Sequence, residues 1–158
     1  MKLAALGSQA LVGLVAFGFT LGVDLGSKAL AVAASPPLLV VYDHRHVGDG
    51  LSRVVLSLAA VAAVSGGSVV AARRGVGRLW GAWVCVGLLL GGVAGNGVSH
   101  LVWSRGTPDF IWLPGRYVWN VADLAIGFGL MGSFVSVAVA AFFAAVRDLR
   151  AGREAAGA

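Results

Sequence analysis

The sequence predicts an all-α polytopic membrane protein with four transmembrane helices and a small extracytoplasmic β or loop element. Hydrophobic residues make up 58% of the 158 residues and charged residues only 12%, a composition outside the soluble globular range. The apolar residues fall into four runs, each long enough to cross a bilayer. Because no polar block between the runs is long enough for a soluble domain, we expect one membrane domain over residues 1–146.

The four apolar runs place the predicted spans at residues 3–23, 54–72, 79–98 and 118–146. At about 1.5 Å per residue, a run such as the first reaches roughly 30 Å, the thickness of the hydrocarbon core. A secretory signal peptide is the alternative for that run, because Ala31-Val32-Ala33 resembles a small-residue cleavage site. The run is longer than a usual signal-peptide core, which favours a retained helix.

The basic residues cluster in a way that predicts the orientation of the chain. The net charge is +5, and six of the twelve basic residues lie in one short loop and in the tail 147–158, namely Arg73, Arg74, Arg78, Arg147, Arg150 and Arg153. This clustering is typical of cytoplasmic segments and not of a nucleic-acid-binding face. We therefore expect both termini in the cytoplasm, a frayed basic tail, and no nucleic acid partner.

Two polar loops lie on the opposite side of the predicted membrane. Leu38–Tyr42 reads as a short strand, and the loop that follows contains His44, His46 and Asp49. Their spacing matches no defined metal site, so no metal is predicted there. The second loop, 100–116, is bordered by aromatic residues, as at a membrane interface, namely Trp103, Trp112, Tyr117 and Trp119.

Polar side chains recur at one depth, where the predicted spans meet these loops. Asn96 and Ser99 end the third span, Asn120 and Asp123 begin the fourth, and Asp24 follows the first. Polar groups at the edge of hydrocarbon are costly and mark functional sites by default. Their convergence predicts a pocket open to the outer interface. The alternative for each one is an interhelical hydrogen bond, as in a structural or transporter subunit.

The motifs in this order resemble those of the lipoprotein signal peptidases, also called signal peptidase II. Gly91-Gly92-Val93-Ala94-Gly95-Asn96 looks like the family's G-G-x-x-G-N element, and Asp109-Phe110 matches the D-F pair that follows it. Asn120–Ile126 matches the N-x-A-D-x-x-I element. Asp24 and Lys28 match the D-x-x-x-K element after the first helix. The resemblance covers most of the chain.

The resemblance implies an aspartic endopeptidase of the bacterial inner membrane that requires no cofactor or metal. The implied partners are the signal peptide of a lipid-modified prolipoprotein and membrane phospholipid. The implied catalytic dyad falls on Asp123 and on the position of Ser99. The other matched positions are implied to bind substrate or support the site, namely Asp24, Lys28, Asn96, His100, Asp109 and Asn120.

The sequence departs from the family pattern at positions that bear on catalysis. Ser99 stands where the G-N-x-x-D-R element has its Asp, His100 stands where it has its Arg, and the loop 46–51 lacks the Asn of N-x-G-x-A-F. A serine does not titrate near neutral pH, so Ser99 cannot replace a dyad carboxylate. Two functions therefore stay open: a peptidase, and a non-catalytic protein that binds lipidated peptide or lipid in the same pocket.

The residue types alone leave two further ways to complete the catalytic site. Ser99, His100 and Asp123 contain the side chains of a hydrolase triad, but neighbouring helical residues point about 100° apart and would not bond each other. Asp109 or Asp49, on the outer loops, could supply the second carboxylate. No spacing in the sequence indicates either one.

Overall fold

The computed structural model describes residues 2–34, 40–43, 55, 58–67, 69–70, 79–115 and 117–156. In chain order the elements are α1 (Lys2–Ala34), β1 (Val41–Asp43), α2 (Leu58–Gly67), α3 (Trp80–Val102), β2 (Thr107–Asp109), β3 (Ile111–Leu113), β4 (Tyr117–Trp119) and α4 (Val121–Ala156).

Three described helices are long and apolar enough to cross a membrane: Gly7–Ala34, Trp80–Val102 and Val121–Arg153. This result confirms the prediction of a mostly helical, multi-pass membrane protein. The predicted second span is described mainly as the shorter apolar helix α2. The arginine loop at 73–78 and the polar loop at 44–50 lie outside the described residues.

The ends of the long helices differ from the predicted span boundaries. α1 continues through Asp24 to Ala34, which keeps Asp24 and Lys28 on one helix. α4 begins at Val121 and not at residue 118, because Tyr117–Trp119 forms a strand. It then continues to Ala156, so the basic tail, predicted to fray, is helical as far as that residue.

The short strands of the described residues form two small antiparallel sheets. β1 pairs with β2, with Val41 opposite Asp109 and Asp43 opposite Thr107. The strand predicted at 38–42 is observed in part, at Val41–Asp43, whereas residues 38 and 39 lie outside the described residues. β3 pairs with β4 through a turn in which Gly115 has a φ of +92°, a conformation that favours glycine. These pairings hold β2, which carries Asp109, close to the start of α4.

Helix α3 packs between α1 and α4, and its glycines let both neighbours approach closely. Gly87, Gly91 and Gly95 recur every four residues and face α1, and a Cβ at Gly91 would lie 2.7 Å from Cβ of Thr20. Gly92 faces α4, where a Cβ would lie 2.6 Å from the carbonyl oxygen of Ala122. Small residues at such positions permit tight helix packing in membranes.

Four of the most deeply buried polar side chains gather near the C-terminal end of α3. Lys28, Asp24, Asn120 and Ser99 each have less than 2% of their surface exposed. The apolar cluster lies at the other end of the helix, around Val64, Ala82 and Val86. Buried polar groups are expensive unless they are hydrogen-bonded, so this end of the fold is the candidate site.

Candidate functional site

Lys28 is fully buried in the site and uses every hydrogen of its ammonium group. Its Nζ donates to Asp24 Oδ2 at 2.7 Å, to Asn96 Oδ1 at 2.8 Å and to Ser99 Oγ at 2.9 Å. A lysine ammonium has three donors and no acceptor, so these bonds satisfy it. The bond to Asp24 lies within α1, whereas the other two tie α1 to α3. All three donors of this buried cation are therefore paired, which offsets part of the cost of its burial.

Asn96 links the buried cation to Asp123. Its Oδ1 accepts from Lys28, and its Nδ2 donates to Asp123 Oδ1 at 3.0 Å. An amide presents its acceptor and its donors on opposite ends, so this contact pair fixes the direction of the side chain. Asn96, at the end of the glycine-rich element of α3, therefore orients the carboxylate of Asp123 on α4.

Asn120 and Asp123 cap the first turn of α4 reciprocally. Asn120 Oδ1 accepts from the backbone N–H of Asp123 at 3.0 Å, and Asp123 Oδ2 accepts from the backbone N–H of Asn120 at 3.2 Å. This is the geometry of a capping box, with Asn and Asp in place of the usual Ser/Thr and Glu. The three-residue spacing of the motif thus has a local structural cause, and it fixes the side chain of Asp123.

Asp109 is brought to the same place by β2. Its Oδ1 accepts from Asn120 Nδ2 at 2.7 Å, and only 5% of its surface is exposed. Burial raises the pKa of Asp109 from 3.8 to about 6, and the negative charges of Asp123 and Asp43 add to the rise. The Asn120 hydrogen bond and the charge of Lys28 oppose it. Asp109 is thus an acid whose pKa lies near neutral pH.

Seven of the eight residues singled out in the sequence belong to one hydrogen-bonded group, here called the polar network. Its members are Asp24, Lys28, Asn96, Ser99, Asp109, Asn120 and Asp123. His100 is exposed instead, and its Nε2 lies 3.4 Å from Thr107 Oγ1. The network joins α1, α3, α4 and β2.

The position of Ser99 differs from that of a catalytic group. Its hydroxyl accepts from Lys28 and donates to the carbonyl oxygen of Gly95 at 2.7 Å, and the side chain is fully buried. Ser99 therefore faces α1 and its own helix. A Ser99–His100–Asp123 triad has no support in these contacts.

Asp43 was not recognised in the sequence as a neighbour of the site, and Asp109 was placed there only by the family resemblance. Both lie on three-residue strands whose pairing joins segments 66 positions apart, with Val41 opposite Asp109 at one end and Asp43 opposite Thr107 at the other. No local periodicity predicts such a pairing. The one available signal was the family-like Asp-Phe pair at 109–110. Asp49, the other candidate, lies outside the described residues.

The polar network contains acids, amides and one fully satisfied cation, but no assembled metal site. In the stretches that the structure describes, no group of three or more His, Cys, Asp or Glu could hold a metal ion. Asp123 is half-buried, whereas the other members of the network are buried. Asp123 is therefore the member of the polar network most accessible to an approaching molecule.

One comparison with known proteins identifies the family of this chain. The family model for signal peptidase (SPase) II matches residues 40–140, which is more than half of the chain and includes Asn96, Asp109, Asn120 and Asp123. Searches of curated proteins and of solved structures give no match. The chain, with its long apolar helices and its polar network, therefore belongs to the signal peptidase II family.

Proposed function

We propose that the protein is an aspartic endopeptidase that removes signal peptides from diacylglyceryl-modified prolipoproteins, with Asp109 and Asp123 as its two catalytic acids. The observation that carries the proposal is the position of Asn120. Its Nδ2 donates to Asp109 Oδ1, while its Oδ1 and its backbone N–H bond to Asp123. One residue therefore bonds to both acids, which supports their assignment to one catalytic site.

The proposal assigns a different role to each acid. Two neighbouring carboxyl groups cannot both ionise easily, so one of them keeps a proton. Burial and the charge of Asp123 raise the pKa of Asp109 to about 6, which makes Asp109 the proton carrier. Asp123 accepts hydrogen bonds from Asn96 and from the Asn120 backbone, which suit an ionised carboxylate. Asp123 is then the general base.

Cleavage follows from this assignment in two balanced steps. Asp123 takes a proton from a water molecule as the water oxygen attacks the scissile carbonyl carbon, and Asp109 gives its proton to the carbonyl oxygen. The resulting tetrahedral diol collapses, the C–N bond breaks, and the leaving nitrogen receives the proton held by Asp123. A hydroxyl proton of the diol returns to Asp109, which restores the starting state.

The same proposal gives Ser99 a supporting role. Its hydroxyl completes the hydrogen bonds of Lys28, so the second carboxylate need not come from this position. The remaining alternative is a non-catalytic protein that holds lipidated peptide or phospholipid in the pocket. We also propose the bacterial inner membrane as its location and cytoplasmic termini, which the clustered arginines of the sequence support.

The decisive experiment is a cleavage assay with protein reconstituted in lipid and a diacylglyceryl-modified prolipoprotein, with the products identified by mass spectrometry. We expect the wild type to cut before the lipid-bearing cysteine. Ser99→Ala keeps activity within about tenfold of wild type, because it removes one partner of Lys28 and no acid. Binding without cleavage by the wild type would establish the non-catalytic alternative. A gain of activity in Ser99→Asp would return the dyad to that position.

The pH dependence of cleavage provides a second test of the proposed roles. Asp109 acts in its protonated form, so activity is present below its pKa and falls as the pH rises through about 6. Asp43→Asn removes a charge that raises the pKa of Asp109, and we expect the falling limb of kcat/KM to move to lower pH. A limb that moves upward would show that a different group controls it.

A further inference from the structure

Asp24 is a buried acid that the proposed mechanism does not use. Its carboxylate has no exposed surface, and its two oxygens bond to different helices. Oδ2 accepts from Lys28 within α1, whereas Oδ1 accepts from the backbone N–H of Ala122 in α4 at 2.8 Å. A counter-ion for Lys28 would need only the first of these contacts, so the second calls for its own explanation.

The second contact supplies a missing acceptor at the start of α4. The first four N–H groups of a helix have no partner within the helix, and a buried one is costly. Asn120 accepts from the N–H of Asp123, and Asp24 accepts from the N–H of Ala122. An anion at this end of a helix is also favoured by the helix dipole. Asp24 therefore acts as a cap contributed by another helix.

The carboxylate of Asp24 is confined on its third side by α3. A Cβ at Gly95 would overlap Oδ2 of Asp24, so the glycine leaves room for the carboxylate between α3 and α4. The capped residue, Ala122, is directly followed by Asp123. A movement of this cap would therefore change the position of Asp123 relative to Asn96 and Asp109.

We propose that Asp24 is a positioning residue: by capping Ala122 it locks the start of α4 to α1 and α3 and so places Asp123 beside Asp109. The consequence for catalysis rests on the proposed function, whereas the cap itself does not. The Asp24 cap affects the relative position of the two acids and not the binding of substrate. Loss of the cap therefore lowers kcat and leaves KM nearly unchanged.

The cap is separated from the charge by comparing Asp24→Asn with Asp24→Ala in the cleavage assay. The asparagine keeps an oxygen that can accept from Ala122 but turns its NH2 group towards Lys28, so both variants lose the counter-ion and only the alanine loses the cap. We expect Asp24→Asn to keep at least about tenfold more kcat than Asp24→Ala. The alanine removes the acceptor, and a misplacement of about 1 Å costs on the order of 10²-fold in kcat. If Asp24→Asn is as inactive as Asp24→Ala, or if the loss appears in KM, the positioning role is wrong.

A matched glycine pair tests the same cap without changing Asp24. Gly95→Ala pushes against the carboxylate, whereas Gly97→Ala on the same helix meets nothing within 4 Å. Hydrogen exchange at the Ala122 amide reports the cap directly, without any substrate. We expect faster exchange in Gly95→Ala and in Asp24→Ala, and wild-type protection in Gly97→Ala and Asp24→Asn. Unchanged protection in Gly95→Ala and Asp24→Ala would overturn the proposal even if the wild type cleaves nothing.

Discussion

Asp109→Asn abolishes cleavage and at the same time makes the folded protein more stable above pH 7. The catalytic loss follows because an amide cannot give a proton to the scissile carbonyl, and general acid catalysis contributes about 10²–10⁴-fold. The asparagine keeps the shape of the side chain and an oxygen that can accept from Asn120 Nδ2. The fold should therefore survive the loss of activity.

The gain in stability follows from the raised pKa of Asp109. The folded state holds a proton on this group up to about pH 6, whereas the ordinary pKa of an aspartic acid in an unfolded chain is 3.8. Between these values the folded state binds more protons than the unfolded state, so the stability contributed by this proton is present at low pH and is lost as the pH rises through about 6. A rise of roughly two pKa units corresponds to a cost on the order of 2–3 kcal/mol at higher pH. Asparagine removes this cost.

Measurement of kcat and of Tm in the same detergent at pH 5 and pH 7.5 tests both effects. We expect the full Tm advantage of Asp109→Asn over wild type at pH 7.5 and about half of it at pH 5, because pH 5 lies between 3.8 and the folded-state pKa of about 6. Asp43→Asn, on the paired strand, is the matched control and keeps most of the activity. Full cleavage by Asp109→Asn would remove this residue from the dyad, and Asp123 would then need another partner.

Substitution of Asn120 separates the helix cap from the link between the two acids. Asn120→Ala loses both the cap of α4 and the donor to Asp109, so we expect lower Tm and a loss of about 10²-fold in kcat. Asn120→Ser keeps a good cap but is too short to reach Asp109. We expect near-normal Tm with the same loss of kcat.

The two variants are compared by thermal unfolding and by the cleavage assay at the pH optimum of each protein. Circular dichroism provides a check that the helical content is unchanged. The link between the acids would be unnecessary if Asn120→Ser were fully active. If Asn120→Ser were as unstable as Asn120→Ala, the loss of the helix cap would instead explain the loss of kcat in both variants.

The sequence predicted the membrane fold and most of the polar network because both depend on local patterns. Hydrophobic runs define the long helices, and a three-residue spacing places Asn120 and Asp123 in one capping box. Asp24 and Lys28 follow from a four-residue spacing on one helix. These features can be read from neighbouring positions in the chain.

The second acid could not be predicted in the same way. Asp109 reaches the site through the pairing of β2 with β1, and three-residue strands give too short a pattern to define a register. The direction of Ser99 also depends on the packing of α3 against α1, where Lys28 reaches its hydroxyl. The sequence therefore suggested an incomplete dyad, whereas the three-dimensional arrangement brings Asp109 to Asp123 through Asn120.

The ion pair within α1 also bears on how the protein is assembled in the membrane. Asp24 and Lys28 lie one helical turn apart and bond at 2.7 Å, so the pair can form as soon as this helix does. An unpaired charge would raise the free energy of inserting the helix into lipid. The Gly7–Ala34 segment of α1 contains no other charged residue, so it can enter the bilayer as an electrically neutral unit before its partner helices arrive. Asn96, Ser99 and Ala122 would then add their hydrogen bonds during helix association, in a later stage of biogenesis.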